Sequence, residues 1–533
     1  MRPRLRSVCR AALIGGALLL ATTPVQVARA QADSARAVAS TRALVERVRA
    51  WRAQHDHEVL GEFATLLAIP NVASDSANIR RNAAAIVAAF ARRGVAMRLL
   101  ESPAGGPPAV FGELRAPGAR RTVVLYAHYD GQPVTASDWA TPPWSPTLRD
   151  GPLDGGGRVV PLPTRPGATG PEWRLYARSA GDDKAPVIAA LAALDAMRAA
   201  GARPSVNVKF FFEGEEEAGS PHLRALLERH RALLAADAWL FADGPVHQSR
   251  RQQVVFGVRG VTGFELTTYG PLRPLHSGHY GNWAPNPIAE LAGLLAGMRD
   301  DEGRVRIAGV ANAVRPPTAA ERAALAAAPR PDSALRADLA LGRTEGGGVS
   351  LAEQIMVPAF NVRGIRGGAT GASAANAVPS EATASVDLRL VPDLTPARAE
   401  SLVVAHLRGL GYHVVRTVPD AATRRAHRRL VRLAWEGSGY PSYRTPLDAP
   451  VGRAVLRVLA DAQGVAPVAA PTLGGSLPLY VFGEVLGAPV IVMPIANHDN
   501  NQHAANENLR LQNLWNGIEA FAALFAGLGG AWQ

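Results

Sequence analysis

Short polar clusters with the residue types that hold divalent cations recur along this chain, most of them directly after an apolar run. His128-Tyr129-Asp130 comes after Thr122 to Ala127, and Glu213-Gly214-Glu215-Glu216-Glu217 after Lys209 to Phe212. Gly181-Asp182-Asp183-Lys184 opens an Ala-rich helical stretch, Asp243 follows Ala238 to Ala242, and His503-Ala504-Ala505-Asn506-Glu507 comes after Pro489 to Pro494. Singly, each has a bland reading: a polar surface turn, two acids capping a helix N-terminus, or a solvated acidic run. Glutamates packed behind a very apolar strand repel one another unless a cation sits among them. Together, two histidines and several carboxylates at successive strand ends make the donor set expected for zinc or a similar borderline ion. An aspartate two residues from a histidine ligand can also accept that ligand's other ring N–H.

These clusters need elements that bring them together. Short apolar runs at Thr122 to Ala127, Val206 to Phe212 and Pro489 to Pro494 read as buried strands, with helices at Val187 to Ala200 and Leu509 to Leu528 and a polar helix from Ala35 to Leu67. Alternation of strands and helices argues for an α/β fold, in which sites form beyond the strand ends. From Val258 the character changes: strand Gly263 to Thr268, helix Ile288 to Met298, strand Ala382 to Leu390, helix Pro396 to Leu410 and a final strand Tyr412 to Thr417. That order predicts a small α+β sandwich inserted in the main domain. Gly151 to Gly170 reads as a surface loop and Thr318 to Leu341 as an exposed helical insertion.

Composition narrows the function. With 533 residues, 47% hydrophobic, 19% charged and one cysteine, the chain is not a disordered, collagen-like or disulfide-stapled protein. The net charge of +12 rests on arginine, since Lys184 and Lys209 are the lysines, and the arginines are interspersed with acids without a sustained basic arm. A nucleic-acid partner is therefore not expected. Arg2, Arg4, Arg6 and Arg10 precede an apolar run from Ala11 to Ala21 and then Ala28-Arg29-Ala30, the order of a secretory signal peptide. Cleavage after Ala30 removes five arginines and no acids, so +12 falls to +7, and Cys9 leaves with the signal. The expectation is a secreted or periplasmic protein. No later run reaches the ~20 apolar residues of a stable membrane anchor.

The motifs, in order, resemble the cocatalytic metallopeptidases that include carnosinase, cytosolic nonspecific dipeptidase, glutamate carboxypeptidase, aminoacylase and succinyl-diaminopimelate desuccinylase. The segments that carry the resemblance are YAHYDGQP, SAGDDKAP, FFEGEEEAGS, FADGP, LHSGHYG, LRLVPDLTP, GGSLP and HAANENL, and they fit the dipeptidase branch best. The resemblance implies a mixed-sheet α/β catalytic domain with helices on both faces, built from residues 31–257 and 442–533 after a signal at 1–30. A lid or dimerisation unit at 258–441 is implied between them, in a homodimer. It implies two divalent ions, zinc by expectation, with manganese or cobalt suiting the same donors. His128 and Asp243 would bind one ion, Glu217 and His503 the other, and Asp182 both. Asp130 would orient His128 and Glu216 would be the general base. His276 would stabilise the oxyanion, often reaching the site from a partner subunit, and Arg389, Asn376, Gly475 and Ser476 would hold the substrate carboxylate.

His498 rivals His503 as a ligand, because both follow the same strand; His503 alone stands three residues before Asn-Glu. The family's usual Gly-Arg-Gly ahead of the DDK is here Ala177-Arg178-Ser179, and Ala185 replaces a glycine. These changes touch loop conformation, not ligands. The expected activity is hydrolysis of an unblocked dipeptide or short peptide from its free C-terminus. The alternative is deacylation of an N-acyl amino acid on the same scaffold. An exported binding protein without catalysis is a third reading, and retention of Glu216 beside all five ligands argues against it.

Overall fold

The computed structural model describes residues 24–532, with side chains from residue 38 onward. Cys9 and the apolar run of the expected export signal lie outside the described residues. Helix α1 (Pro24–Leu67) and helix α2 (Ser76–Ala91) lead into strands β1 (Met97–Leu100), β2 (Ala109–Leu114) and β3 (Thr122–His128). Helix α3 (Lys184–Ala199), strand β4 (Asn207–Glu213), helix α4 (Leu223–Arg229), and strands β5 (Ala238–Phe241) and β6 (Gln253–Val255) follow.

The chain then builds a second sheet from β7 (Gly260–Tyr269), β8 (Ala359–Arg366), β9 (Glu381–Leu390), β10 (His413–Val415) and β11 (Leu430–Trp435), with helices α5 (Pro287–Met298) and α6 (Pro396–Gly409). Helix α7 (Pro450–Gln463), strand β12 (Val468–Ala470), helix α8 (Leu479–Leu486), strand β13 (Val490–Val492) and helix α9 (Leu511–Ala531) return to the first unit.

The first sheet has eight strands in the order β1-β2-β4-β3-β5-β13-β6-β12. Its central run β4-β3-β5-β13 is parallel throughout. Strand side chains alternate between faces, and each face has its own core. Val123, Leu125 and Ala127 pack with α1, α2, α3, α7 and α9. Val124, Tyr126, Phe211, Trp239 and Phe241 pack with α4 and α8 on the other side. The aromatic layer is tight: the Tyr126 and Phe241 rings stack at 3.9 Å, and Phe482 meets Phe241 edge-on at 4.9 Å. Truncating the fully buried Trp239 there would cost about 3–5 kcal/mol. This is the mixed α/β architecture with helices on both faces that the motifs imply.

The second sheet runs β8-β9-β7-β11-β10 and has a separate core, including Phe264, Leu294, Val386, Val403 and Leu433. Two expectations need correction here. The last strand of this sheet in sequence is Leu430–Trp435, and the expected Tyr412 to Thr417 strand is only the short edge strand His413–Val415. The arginine-rich approach at 424–429 hid β11, and β8 is mostly exposed along its length, which leaves no clear alternation to read. The Thr318 to Leu341 insertion is helical, as Ala319–Ala327 and Asp332–Asp338, but it is anchored: buried Glu321 pairs with Arg444 at 2.9 Å.

Candidate metal centre

Four parallel neighbours, β4, β3, β5 and β13, end on one edge of the sheet, so the loops that follow them converge. His128 is the last residue of β3, Glu213 the last of β4, and Asp243 comes two residues after β5. Asp182 stands at the N-terminal entry of α3, where its peptide bond to Asp183 is cis. His503 lies in the loop between β13 and α9, with a φ of 62°.

The convergence yields two groups able to hold a cation. His128, Glu216 and Asp243 form one, and Asp182, Glu217 and His503 the other; donor atoms within each group lie within 4.8 Å of one another. Asp182 joins them, because its Oδ1 faces His128 Nε2 at 2.9 Å and its Oδ2 faces His503 Nε2 at 3.2 Å. Glu217 Oε2 lies 3.1 Å from His503 Nε2, and Asp243 Oδ2 lies 3.9 Å from His128 Nε2. Glu216 Oε2 is 4.0 Å from the same His128 nitrogen. His498, the rival ligand, instead approaches Asp499 at 4.0 Å.

The acidic run divides into separate tasks. Glu213 accepts the Tyr126 hydroxyl at 2.7 Å, Glu215 pairs with His222 at 2.8 Å, and Glu217 faces His503. The Glu216 carboxylate turns toward the cluster. Asp130 organises this turn, its two oxygens accepting the backbone N–H of Glu216 at 3.1 Å and of Glu217 at 3.0 Å. Its Oδ1 also lies 3.3 Å from His128 Nδ1.

Several supporting residues escaped the sequence reading. Glu507, fully buried, accepts Arg178 Nη1 at 2.8 Å and the backbone N–H of Ser179, Gly181 and Asp182 at 2.9 Å each. It fixes the loop that carries Asp182. Its position four residues after His503 was the available signal. Asp183 accepts the His128 N–H at 3.2 Å, Gln502 donates to Asp182 at 2.6 Å and Gln132 to Glu217 at 2.8 Å. Ser179 sits at φ 62°, a left-handed conformation that glycine adopts freely, and Asn71 holds its hydroxyl at 2.9 Å.

Proton affinities report the crowding of acids. Burial, and then the charge of Asp182, push the Asp243 carboxyl up to about 7. Burial also pushes Glu216 well above the usual carboxylate range, with Asp243 and Glu217 adding to it against the pull of His128. Burial works against a charged His128, but its bonds to Asp130 and Asp182 raise it well above its ordinary value. Bonds to Asp182 and then Glu217 raise His503 to about 10. Burial disfavours a charged Asp182, yet the two histidines outweigh it and hold that carboxyl low. Divalent cations would neutralise the same crowding of charge, and two imidazoles with four carboxylates fit two such ions.

The remaining sequence-predicted residues divide into two sets. Arg389, on β9, donates from Nη1 to Ser476 Oγ at 3.0 Å, and Gly475 adjoins that serine, so these three are brought together. His276 and Asn376 lie together elsewhere on the second unit, where the Ser277 N–H donates to the Asn376 carbonyl at 2.8 Å. Both are exposed, and among the described residues no hydrogen bond or ion pair ties either to the metal cluster.

The sequence profile of peptidase family M20/M25/M40 matches residues 124–526. The Cys-Gly metallodipeptidase dug1 of Schizosaccharomyces pombe is 26% identical over 427 residues, 78% of this chain and 81% of that one. The human beta-Ala-His dipeptidase is 26% identical over 434 residues, 79% and 77% of the two chains. The M20 family metallo-carboxypeptidase Sso-CP2 from Sulfolobus solfataricus superimposes with a TM-score of 0.69 at 26% identity, covering 89% of this chain and 99% of that structure. Human carnosine dipeptidase 1 shares the fold with a TM-score of 0.70 at 24% identity, covering 91% and 99%.

Proposed function

The chain belongs to peptidase family M20/M25/M40 and is a metallopeptidase, and we propose that it is a two-metal dipeptidase acting on unblocked dipeptides or short peptides from their free C-terminus. One observation carries this reading: Asp182 turns one oxygen to each of the two histidines, while the Glu216 carboxylate stands nearby, 4.0 Å from His128 Nε2. The relatives whose names give an activity on dipeptides support the substrate class.

Under this reading His128 and Asp243 hold one ion, Glu217 and His503 the other, and Asp182 both. Zinc is the proposed metal, with manganese and cobalt as the other ions the donors suit. When bound, the pair polarises the scissile carbonyl and lowers the pKa of a water. Glu216 takes that water's proton and returns it to the leaving amine. Its raised proton affinity suits the second half of this task, since the proton is retained until the amine departs. Asp130 keeps His128 and the Glu216 turn in register. Arg389, with Ser476 and Gly475, holds the terminal carboxylate through arginine's bidentate fork.

We further propose that residues 258–441 act as a lid and dimerisation unit inserted between 31–257 and 442–533. In a homodimer, His276 would supply oxyanion stabilisation and Asn376 a carboxylate contact to the other copy's site. The chain is exported to the periplasm or medium after cleavage near Ala30.

Purified protein loaded with zinc should be assayed on a series of unblocked dipeptides and on the matching N-acetyl amino acids. The proposal expects the dipeptides to turn over faster. Preference for the N-acetyl series would replace it with the deacylase reading, and bound zinc without turnover of any amide would favour a binding protein.

A further inference from the structure

The buried arginines of the described residues are Arg174, Arg178, Arg259 and Arg510. Three have a carboxylate at contact distance: Arg174 meets Asp499 at 2.6 Å, Arg178 meets Glu507 at 2.8 Å and Arg510 meets Glu172 at 3.0 Å. Arg259, only 7% exposed, has none, and its Nε is buried without a hydrogen-bond partner. An uncompensated buried guanidinium is costly, so the fold retains it either at a loss or for an anion that arrives later.

Its surroundings indicate which anion. The Arg259 backbone N–H donates to the Gly475 carbonyl at 3.2 Å, so the residue adjoins the turn that carries Ser476. Arg389 reaches the same turn through Ser476 and uses its Nε on Asp387 Oδ2 at 3.0 Å. Asp387 Oδ1 is buried and unpartnered. The charges felt by Arg259 are those of Arg389 and Asp387, after burial itself, which lowers its pKa to about 10. Two guanidiniums against one carboxylate leave one positive charge uncancelled, and a single ligand carboxylate would cancel it. The Tyr440 backbone pairs with that of Val261, two residues from Arg259, at 2.8 and 3.0 Å, and the charges of Glu216 and Arg389 both act on the Tyr440 phenol.

We propose that Arg259 is a second, specificity-determining guanidinium that holds the terminal carboxylate of the substrate jointly with Arg389. The inference rests on the dipeptidase reading. It makes the free acid a requirement of the site, because without the carboxylate the two cations repel each other in a poorly solvated place.

The test compares wild type, Arg259→Gln and Arg259→Lys, all zinc-loaded, on one dipeptide as free acid and as C-terminal amide. Arg259→Gln should lower the acid-over-amide preference in kcat/KM by about tenfold or more, chiefly through KM. Arg259→Lys, which keeps the charge without the fork, should fall between the other two. A preference unchanged by Arg259→Gln, or an equal loss on acid and amide, overturns the proposal. If Arg259→Gln does not fold, an unchanged preference in Arg259→Lys overturns it instead. Should wild type hydrolyse neither dipeptide, the dipeptidase reading fails separately. Calorimetry with a reduced-amide dipeptide as acid and as carboxamide then decides: weaker binding of the acid by the variant supports the role, and equal binding of the acid by variant and wild type refutes it.

Discussion

The Asp130 carboxylate accepts the backbone N–H of Glu216 at 3.1 Å while the same oxygen lies 3.3 Å from the Nδ1 of His128. One buried group therefore sets both the angle of the imidazole proposed as a metal ligand and the turn that presents the proposed base. Replacing it should disturb metal binding and catalysis together. For Asp130→Ala, metal affinity and kcat should each fall by about 10–100-fold, as for other outer carboxylates behind metal-bound histidines. Metal analysis and steady-state kinetics on the same preparation check this, and a variant with both quantities intact would remove Asp130 from the account.

The proton affinities predict how pH acts on the metal-free protein. Asp243 is held up to about 7 by burial and Asp182, and His503 is raised to about 10 by Asp182 and Glu217. A group raised in the folded state contributes stability below its unfolded pKa and loses it as pH rises through its folded pKa. The metal-free protein should accordingly melt at a lower temperature on going from about pH 5 to about pH 8. Zinc should reverse that trend, since cations replace the protons, and zinc affinity should weaken as pH falls. Calorimetry of the two forms across that range is the measurement; parallel pH profiles would contradict the assignment of these groups as ligands.

Glu507 accepts four donors from the loop that carries Asp182. Glu507→Gln preserves the volume but removes the charge opposite buried Arg178 and turns an amide toward backbone N–H groups. It should cost about 2–4 kcal/mol and weaken metal binding through Asp182. A melting temperature and zinc affinity equal to wild type would show that the loop is held by other contacts.

Export makes a separate prediction. Protein recovered from outside the cytoplasm should begin at Gln31, by intact mass and N-terminal sequencing. Material there that retains Met1 or Cys9 would contradict processing near Ala30.

The motifs made the α/β class legible, and with it the histidines and acids that the fold gathers into two candidate ligand groups, for a physical reason: metal chemistry demands His, Asp and Glu at the ends of very apolar strands. Thr122 to Ala127 and Val206 to Phe212 announced themselves because they are buried on both faces. Strand Leu430–Trp435 was hidden behind arginines, and Ala359–Arg366 by its exposure. Glu507 was invisible as a support because three of its four donors are backbone N–H groups, which have no letter in a sequence. Arg259 was equally silent, since a missing partner is a property of packing. The pairing of Asp182 with both histidines was expected from the family resemblance alone, since nothing in the residues themselves joins His128 to His503, 375 positions apart in the chain.

The central claim is that Glu216 moves the proton for a hydrolysis carried out at two bound ions. Its most direct test is the turnover of an unblocked dipeptide by zinc-loaded wild type and Glu216→Gln, with bound metal measured in both. The account predicts two ions per chain in each protein and a kcat at least about a hundredfold lower in the variant. A variant that keeps both ions and turns over at a rate close to wild type would contradict it.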